Sequence, residues 1–301
     1  MMKFARFCAF FTFAILAACS WTGLSGGISG KPAETPTVAV TPTATSEPLA
    51  ARVNGEGITL VEFAHELSRY EKAQQQLGMD LAALGDYRHS VLNSMIEEHV
   101  AAQAAVASGR SVLDDQVDAL VESSRQARGG EPGFKAWMND NYYTLEEFRE
   151  SIRRQLLAQV ATDVVASQVP LTAEQVHARH ILVGNENMAN TLLSQVTGGA
   201  DFAKLVSTYS QDYSTRESGG DLGWFPRGVL TVPEVEAAAF SLQPGQTSQV
   251  VKSRLGYHIV QTLEREAARA LSPSALEILR RQAVEQWLAQ QMQKATIEIY
   301  I

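Results

Sequence analysis

The chain has 301 residues, 45% of them hydrophobic, enough to bury one or two domain cores. Its formal charge is −8 (25 Lys and Arg against 33 Asp and Glu), and no basic patch interrupts it, which argues against nucleic acid as a partner. The two cysteines, Cys8 and Cys19, both lie near the start, so the folded body is left without disulfide, thiolate nucleophile or Cys-bound metal.

Residues 1–18 read as a secretory signal. Lys3 and Arg6 precede the apolar run Phe7–Ala18, which is too short to span a bilayer of about twenty helical residues. The run ends Leu16-Ala17-Ala18-Cys19, which resembles a bacterial lipobox; an ordinary signal peptide with a chance cysteine is the alternative. The resemblance implies lipidation at Cys19 and anchoring to a bacterial membrane outside the cytoplasm. Removing Lys3 and Arg6 with the signal takes the charge from −8 to −10. Residues 19–50 are expected to be a disordered tether, since 18 of the 31 residues from Ser20 to Ala50 are Gly, Pro, Ser or Thr and cannot offset the entropy of ordering.

From residue 51 the pattern becomes regular. Ala51–Val53 and Gly57–Thr59 flank Asn54-Gly55, a hairpin signal. Thr59 with Glu62 forms a capping box opening a helix to about Gln76. Further helices are predicted over Tyr87–Ser108, Asp114–Ala127 and, after the breaker Gly129-Gly130-Glu131-Pro132, around Phe134–Asn139; a second capping box, Thr144 with Glu147, starts one through Gln168. His65, His89 and His99 fall on these helices and read as surface or packing residues. Near the end, Ser272-Pro273 caps a helix to about Lys294 whose stripe includes Trp287, a core residue on this reading. Thr296–Ile301 alternates as a strand, and an isolated strand needs a partner, so it is expected to pair with Ala51–Val53 or Gly57–Thr59.

Between residues 177 and 267 the predicted order is βααβαββ: strand His177–Val183, helices Met188–Val196 and Asp201–Tyr209, strand Leu222–Phe225, helix Pro233–Ser241, and strands Thr247–Val251 and Gly256–Leu263. This is an α+β domain with a small, mostly antiparallel sheet. His177 and His180 lie three apart on a strand and face opposite sides, so they make a poor metal pair. Gly219, Gly220 and Gly223 suit turns, and the absence of a following Lys-Ser/Thr helix excludes a phosphate cradle.

Three separated motifs occur in order: Ala178-x-His180-Ile181-Leu182-Val183; Ser210-x-Asp212 with Gly219-Gly220-Asp221-Leu222-Gly223-Trp224-Phe225; and Gly256-Tyr257-His258-Ile259. Together they resemble the parvulin-type (PpiC, rotamase) peptidyl-prolyl isomerases. The helices before them, with Val53-Asn54-Gly55, resemble the N-terminal region of the SurA/PrsA-like foldases. The resemblance implies a parvulin domain at 177–267 inserted in a mainly α-helical chaperone-like domain, 51–176, completed by 268–301. By carry-over, His180, Asp212 and His258 are the catalytic group, with Tyr213 competing for the acidic position. Each histidine can also be read as a hydrogen-bonded core residue. Leu222, Leu230, Val235 and Phe240 fall at the proline slot, where Leu230 replaces a common Met and Val235 a common Phe, leaving a roomier pocket. No cofactor or metal is implied, because rotation about an amide makes and breaks no bond. The loop Gly184-Asn185-Glu186-Asn187 carries no Lys or Arg, which predicts no preference for phosphorylated Ser/Thr-Pro. The expected partners are unfolded or partly folded exported proteins containing X-Pro bonds. The alternatives are a holdase chaperone with a weakly active or inactive parvulin domain, and a solute-binding lipoprotein, which the glycine-rich and Gly-Tyr-His-Ile motifs oppose.

Overall fold

A computed structural model describes residues 47–301. The expected signal peptide, Cys19 and most of the tether lie outside the described residues. The chain divides into two units, one formed by residues up to Asp163 with Trp287–Ile301, the other by Val164–Gln286.

In the first unit β1 (Leu49–Val53) and β2 (Glu56–Thr59) form a hairpin. Its turn residues Asn54 and Gly55 sit at φ 51° and 91°, the left-handed pair that a two-residue hairpin turn requires. The first strand starts at Leu49, inside the segment expected to be tether, because Leu49 still pairs with Thr59. Five helices follow: α1 (Leu60–Gln76), α2 (Tyr87–Ala107), α3 (Asp114–Ala127), α4 (Glu131–Asp140) and α5 (Leu145–Ser167). Helix α4 begins earlier than the breaker sequence suggests. Gly130, at φ 88°, makes the turn, and Pro132 then occupies the first helical turn, where its missing N–H costs nothing. The capping box of α1 is complete: Glu62 N donates to Thr59 Oγ1 at 3.0 Å and Thr59 N to Glu62 Oε2 at 2.8 Å. Thr59→Ala is expected to lower the stability of this unit by about 1 kcal/mol, read as a shifted urea midpoint at constant slope.

The last strand, β7 (Ile297–Ile299), joins the hairpin on the β1 side, with Ala51 opposite Ile299 and Val53 opposite Ile297. Asn54 accepts from Thr296 N through Oδ1 at 2.8 Å, so the turn residue also fixes where this strand begins. Ile58, Leu92, Ile96 and Val100 form the core here, with Leu288 buried and Trp287 packed against it. A second cluster gathers Val117, Val121, Phe134, Phe148 and Ile152. Among the described residues no helix is long and apolar enough to cross a membrane.

The second unit runs β3 (Thr172–Val183), α6 (Glu186–Thr197), α7 (Phe202–Tyr209), β4 (Asp221–Pro226), α8 (Pro233–Ser241), β5 (Val251–Ser253) and β6 (Gly256–Ala270). The sheet order is β4-β3-β6-β5 and every pairing is antiparallel. Strands β3 and β6 pair from Val183↔Tyr257 out to Thr172↔Ala270, past the expected ends at His177 and Leu263. The strand expected at Thr247–Val251 lies instead at Val251–Ser253, and Thr247 makes only an isolated bridge to Gln261. At Ser248 the pairing is mixed: its backbone N donates to the Val260 carbonyl at 2.8 Å, while its hydroxyl, in place of a ladder carbonyl, accepts from Val260 N at 3.0 Å.

Side-chain alternation then assigns the two faces of the sheet. Ile181, Val183 and Ile259 pack with Leu192, Phe202 and Val206 of α6 and α7. Val176, Ala178 and Val260 pack with Val235, Ala239 and Phe240 of α8. In the ladder His180 lies opposite Val260 and Leu182 opposite His258, so both histidines stand on the α8 face.

Candidate active site

The two histidines, 78 residues apart in sequence, become diagonal neighbours through the β3–β6 register. Their Nδ1 atoms are 3.3 Å apart and both side chains are buried. His180 Nε2 lies 2.7 Å from Asp212 Oδ2. His258 Nε2 lies 2.7 Å from Ser253 Oγ, which itself accepts from Leu255 N at 3.0 Å. One assignment of protons satisfies every contact with both rings neutral. Ser253 donates to His258 Nε2, His258 Nδ1–H donates to His180 Nδ1, and His180 Nε2–H donates to the carboxylate.

Asp212 sits at the end of that chain, on the loop after α7. The loop is held to β3 because Gln211 N donates to the Leu182 carbonyl at 2.7 Å and Ser210 Oγ accepts from Leu182 N at 3.2 Å. Thr215 Oγ1 donates to Asp212 Oδ2 at 2.6 Å, while Ser214 donates to Oδ1 through its hydroxyl at 2.5 Å and its backbone N at 3.1 Å. Burial alone would raise this carboxyl, but the donors from Ser214, Thr215 and His180 outweigh it and hold the group well below the usual carboxylate range. Tyr213, the competing candidate, is 76% exposed, and the contact to His180 is made by Asp212.

Burial, reinforced by the neighbouring His180, pushes His258 down to about 4. The unfolded chain therefore takes up a proton between pH 6.5 and about 4 that the native histidine refuses, so stability is full above 6.5 and is lost as pH falls through that window. The loss is expected to reach on the order of 3 kcal/mol. Urea midpoints at pH 7.5 and pH 4 should show it, and His258→Gln should flatten the slope.

Beside Asp212 opens a hollow of about 540 Å³ whose apolar lining comes from Leu182, Leu222, Leu230, Val232, Val235 and Leu255. Three of the four residues expected at the slot therefore line it. Phe240 does not. It is 4% exposed, packs edge-to-face on Phe225 at 6.0 Å, and lies under the Arg227 guanidinium at 4.1 Å. On α8 the two lie five positions apart, roughly 140° around the helix; both belong to the buried cluster on this face, and only Val235 also borders the hollow. Leu182 follows from sharing a strand face with His180. Ser214 and Thr215 could have been read from the Asp-x-Ser pattern of an Asx turn.

Gly220 holds the start of β4 against the first histidine. His180 N donates to the Gly220 carbonyl at 2.9 Å, and Gly220 has φ 81°. A Cβ there would stand 2.1 Å from the His180 carbonyl oxygen. On the opposite side of β3, His177 bonds Asp221 at 2.8 Å and stacks on Trp224 at 5.6 Å, apart from the pair at His180.

Comparison with known proteins finds two family matches along the chain. Residues 180–264 match the PPIC-type PPIase domain and residues 4–161 the SurA-like N-terminal domain. Foldase protein PrsA of Caldanaerobacter subterraneus subsp. tengcongensis is 31% identical over 243 residues, which cover 73% of this chain and 74% of that protein. Foldase protein PrsA of Geobacillus kaustophilus is 31% identical over 197 residues, 63% of this chain and 66% of that protein. The crystal structure of the peptidylprolyl isomerase PrsA from Bacillus anthracis is similar at a TM-score of 0.44 and 28% identity, covering 67% of this chain and 96% of that one. A SurA-like helical region joined to a PPIC-type domain, and a relative matched over nearly three quarters of its length, lead to one conclusion: the chain belongs to the PrsA-like foldases and is a peptidyl-prolyl isomerase of the PpiC (parvulin) type.

Proposed function

We propose that the chain is an extracytoplasmic isomerase, held to a bacterial membrane through a lipid on Cys19, that helps exported proteins fold by turning their X-Pro bonds. The observation that carries the chemistry is an ionised Asp212, fixed by four hydrogen bonds, at the rim of an apolar hollow. Amide rotation is opposed by ~18–20 kcal/mol of resonance. The resonance form responsible places negative charge on the carbonyl oxygen and positive charge on nitrogen. With the proline ring seated against Leu222, Leu230 and Val235, a fixed carboxylate near the carbonyl disfavours that form more than the twisted amide, which has lost it. The difference lowers the barrier.

Covalent attack is the poorer account, since a carboxylate whose lone pairs are occupied by Ser214, Thr215 and His180 is a weak nucleophile toward an amide. His180 and His258 act as positioning residues, and a His258 that stays neutral keeps the donor direction toward Asp212. In the domain organisation proposed, signal peptide 1–18 is removed, the acylated Cys19 and the tether follow, and the helical unit, closed by the end of the C-terminal helix α9 (Pro273–Lys294) from Trp287 onward and by β7, carries the isomerase unit as an insertion.

Phosphorylated substrates are not favoured on this reading. The loop after β3 offers no cation, and Asn185 is committed to capping α6 through Met188 N at 3.1 Å. The test compares Ser-Pro with phosphoserine-Pro in matched peptides. Equal or slower turnover of the phosphopeptide is expected, and a tenfold preference for it contradicts the reading. The smaller Val235 side chain favours one second reading, a holdase. It would appear as suppressed client aggregation with no acceleration of proline exchange.

A further inference from the structure

A separate cavity of about 100 Å³ lies within the helical unit, between α1, α2 and α5. Small-molecule and cofactor sites usually enclose about 300–1,000 Å³, so this space suits a single side chain. Its apolar part is formed by Tyr70, Val91 and Met95. On one wall Glu98, only 7% exposed, accepts from Arg154 Nε at 3.1 Å. On another, Glu66 accepts from both Arg69 Nε and Nη2, and the Arg69 guanidinium lies 4.1 Å over the Tyr143 ring.

The charges around this space do not balance. Both lining arginines are met by lining carboxylates, while Glu62 and Glu147 add two further negative charges, each fixed by a capping bond to Thr59 or Thr144. Burial raises the Glu98 carboxyl despite Arg154, so its ionised form is under-compensated and would gain from a cation. At the mouth, Tyr142 keeps φ 58°, a conformation costly for a bulky residue, with its ring stacked on His65 at 5.2 Å.

We propose that this cavity receives a basic side chain, lysine or arginine, from an unfolded client. The aliphatic stem would lie along Tyr70 and Met95 and the cationic head would reach Glu98, with tyrosine faces beside it. An acidic side chain meets four carboxylates against two guanidiniums. A purely apolar one leaves the surplus negative charge of Glu62 and Glu147 unoffset. The proposal rests on the foldase reading for the source of its ligand.

The test uses the full chain carrying ¹³C-methyl methionine and proline-free Gly/Ser peptides with one central Lys, Arg, Leu or Glu. Lys and Arg peptides should shift the Met95 methyl signal saturably, with Kd of roughly millimolar order for a single side chain. Leu and Glu peptides should do so at least tenfold more weakly. Glu98→Gln should weaken Lys binding at least tenfold. Tyr142→Gly should do the same while keeping or raising the melting temperature, because glycine relaxes the backbone there; that variant separates lost binding from lost folding. A Met95 signal unmoved by every peptide, or moved equally by Leu and Lys, overturns the proposal and leaves a hydrated void. Exchange of a separate X-Pro peptide, measured with the same protein preparations, reports on the isomerase independently. Its failure with Lys binding intact would count against the foldase chemistry alone, and the converse against the cavity alone.

Discussion

Gly220→Ala is expected to destabilise the isomerase unit by about 3 kcal/mol or more, lowering its melting temperature by more than about 10 °C. Two costs add. Alanine at φ 81° is strained, and its methyl would stand 2.1 Å from the His180 carbonyl oxygen and 3.1 Å from Val206 Cγ2. The backbone cannot yield by retreating, because His180 N donates to the Gly220 carbonyl in the same contact. Gly223 supplies an internal control. Its φ is 69°, yet nothing lies within 4 Å of an added Cβ, so Gly223→Ala should cost only the strain, about 1 kcal/mol. Calorimetry on both variants checks the account, and equal losses at the two positions would show that the close approach contributes nothing.

Asp212→Asn is expected to lower kcat/KM for an X-Pro peptide about a hundredfold while leaving the fold in place. Asparagine preserves shape and removes charge. It also presents N–H groups where Oδ2 now accepts from His180 and Thr215. His180 would have to turn its lone pair toward the amide, its Nδ1 would then become a donor, and His258 would have to reverse in turn and donate to Ser253. The variant therefore removes the electrostatic effect and inverts the donor chain behind it. Most of the loss should fall in kcat, since the apolar hollow that seats the ring is untouched. A loss confined to KM would place Asp212 in binding rather than in lowering the barrier.

The architecture was largely legible because its signals are local. Asn54-Gly55 specifies its turn whatever surrounds it, and the Thr59/Glu62 box specifies where α1 begins. The pairing of the last strand followed from the rule that a lone strand needs a neighbour, and Ala51↔Ile299 supplies one. The site was legible by resemblance rather than by physics. No periodicity announces that His180 and His258 will stand diagonally across one ladder, since that depends on the register of a pairing 78 residues long-range. Ser253 was missed for the same reason: a hydroxyl near a turn is unremarkable until the β5–β6 register brings it to His258. Phe240 is placed at the slot by resemblance alone; it lies in the buried cluster with Val235 but does not border the hollow. Ahead of the displaced β5, the Ser248 side chain takes Val260 N in place of a ladder carbonyl, a contact no strand propensity encodes.

The most direct measurement is exchange NMR on an unphosphorylated X-Pro peptide with catalytic amounts of the chain. Cis/trans cross-peaks are expected at mixing times where the peptide alone, interconverting over tens to hundreds of seconds, shows none, and they should fade when Asp212→Asn replaces the native chain. Cross-peaks that persist at the native rate with Asp212→Asn, or that never appear with a folded native chain, would contradict the role given to this carboxylate.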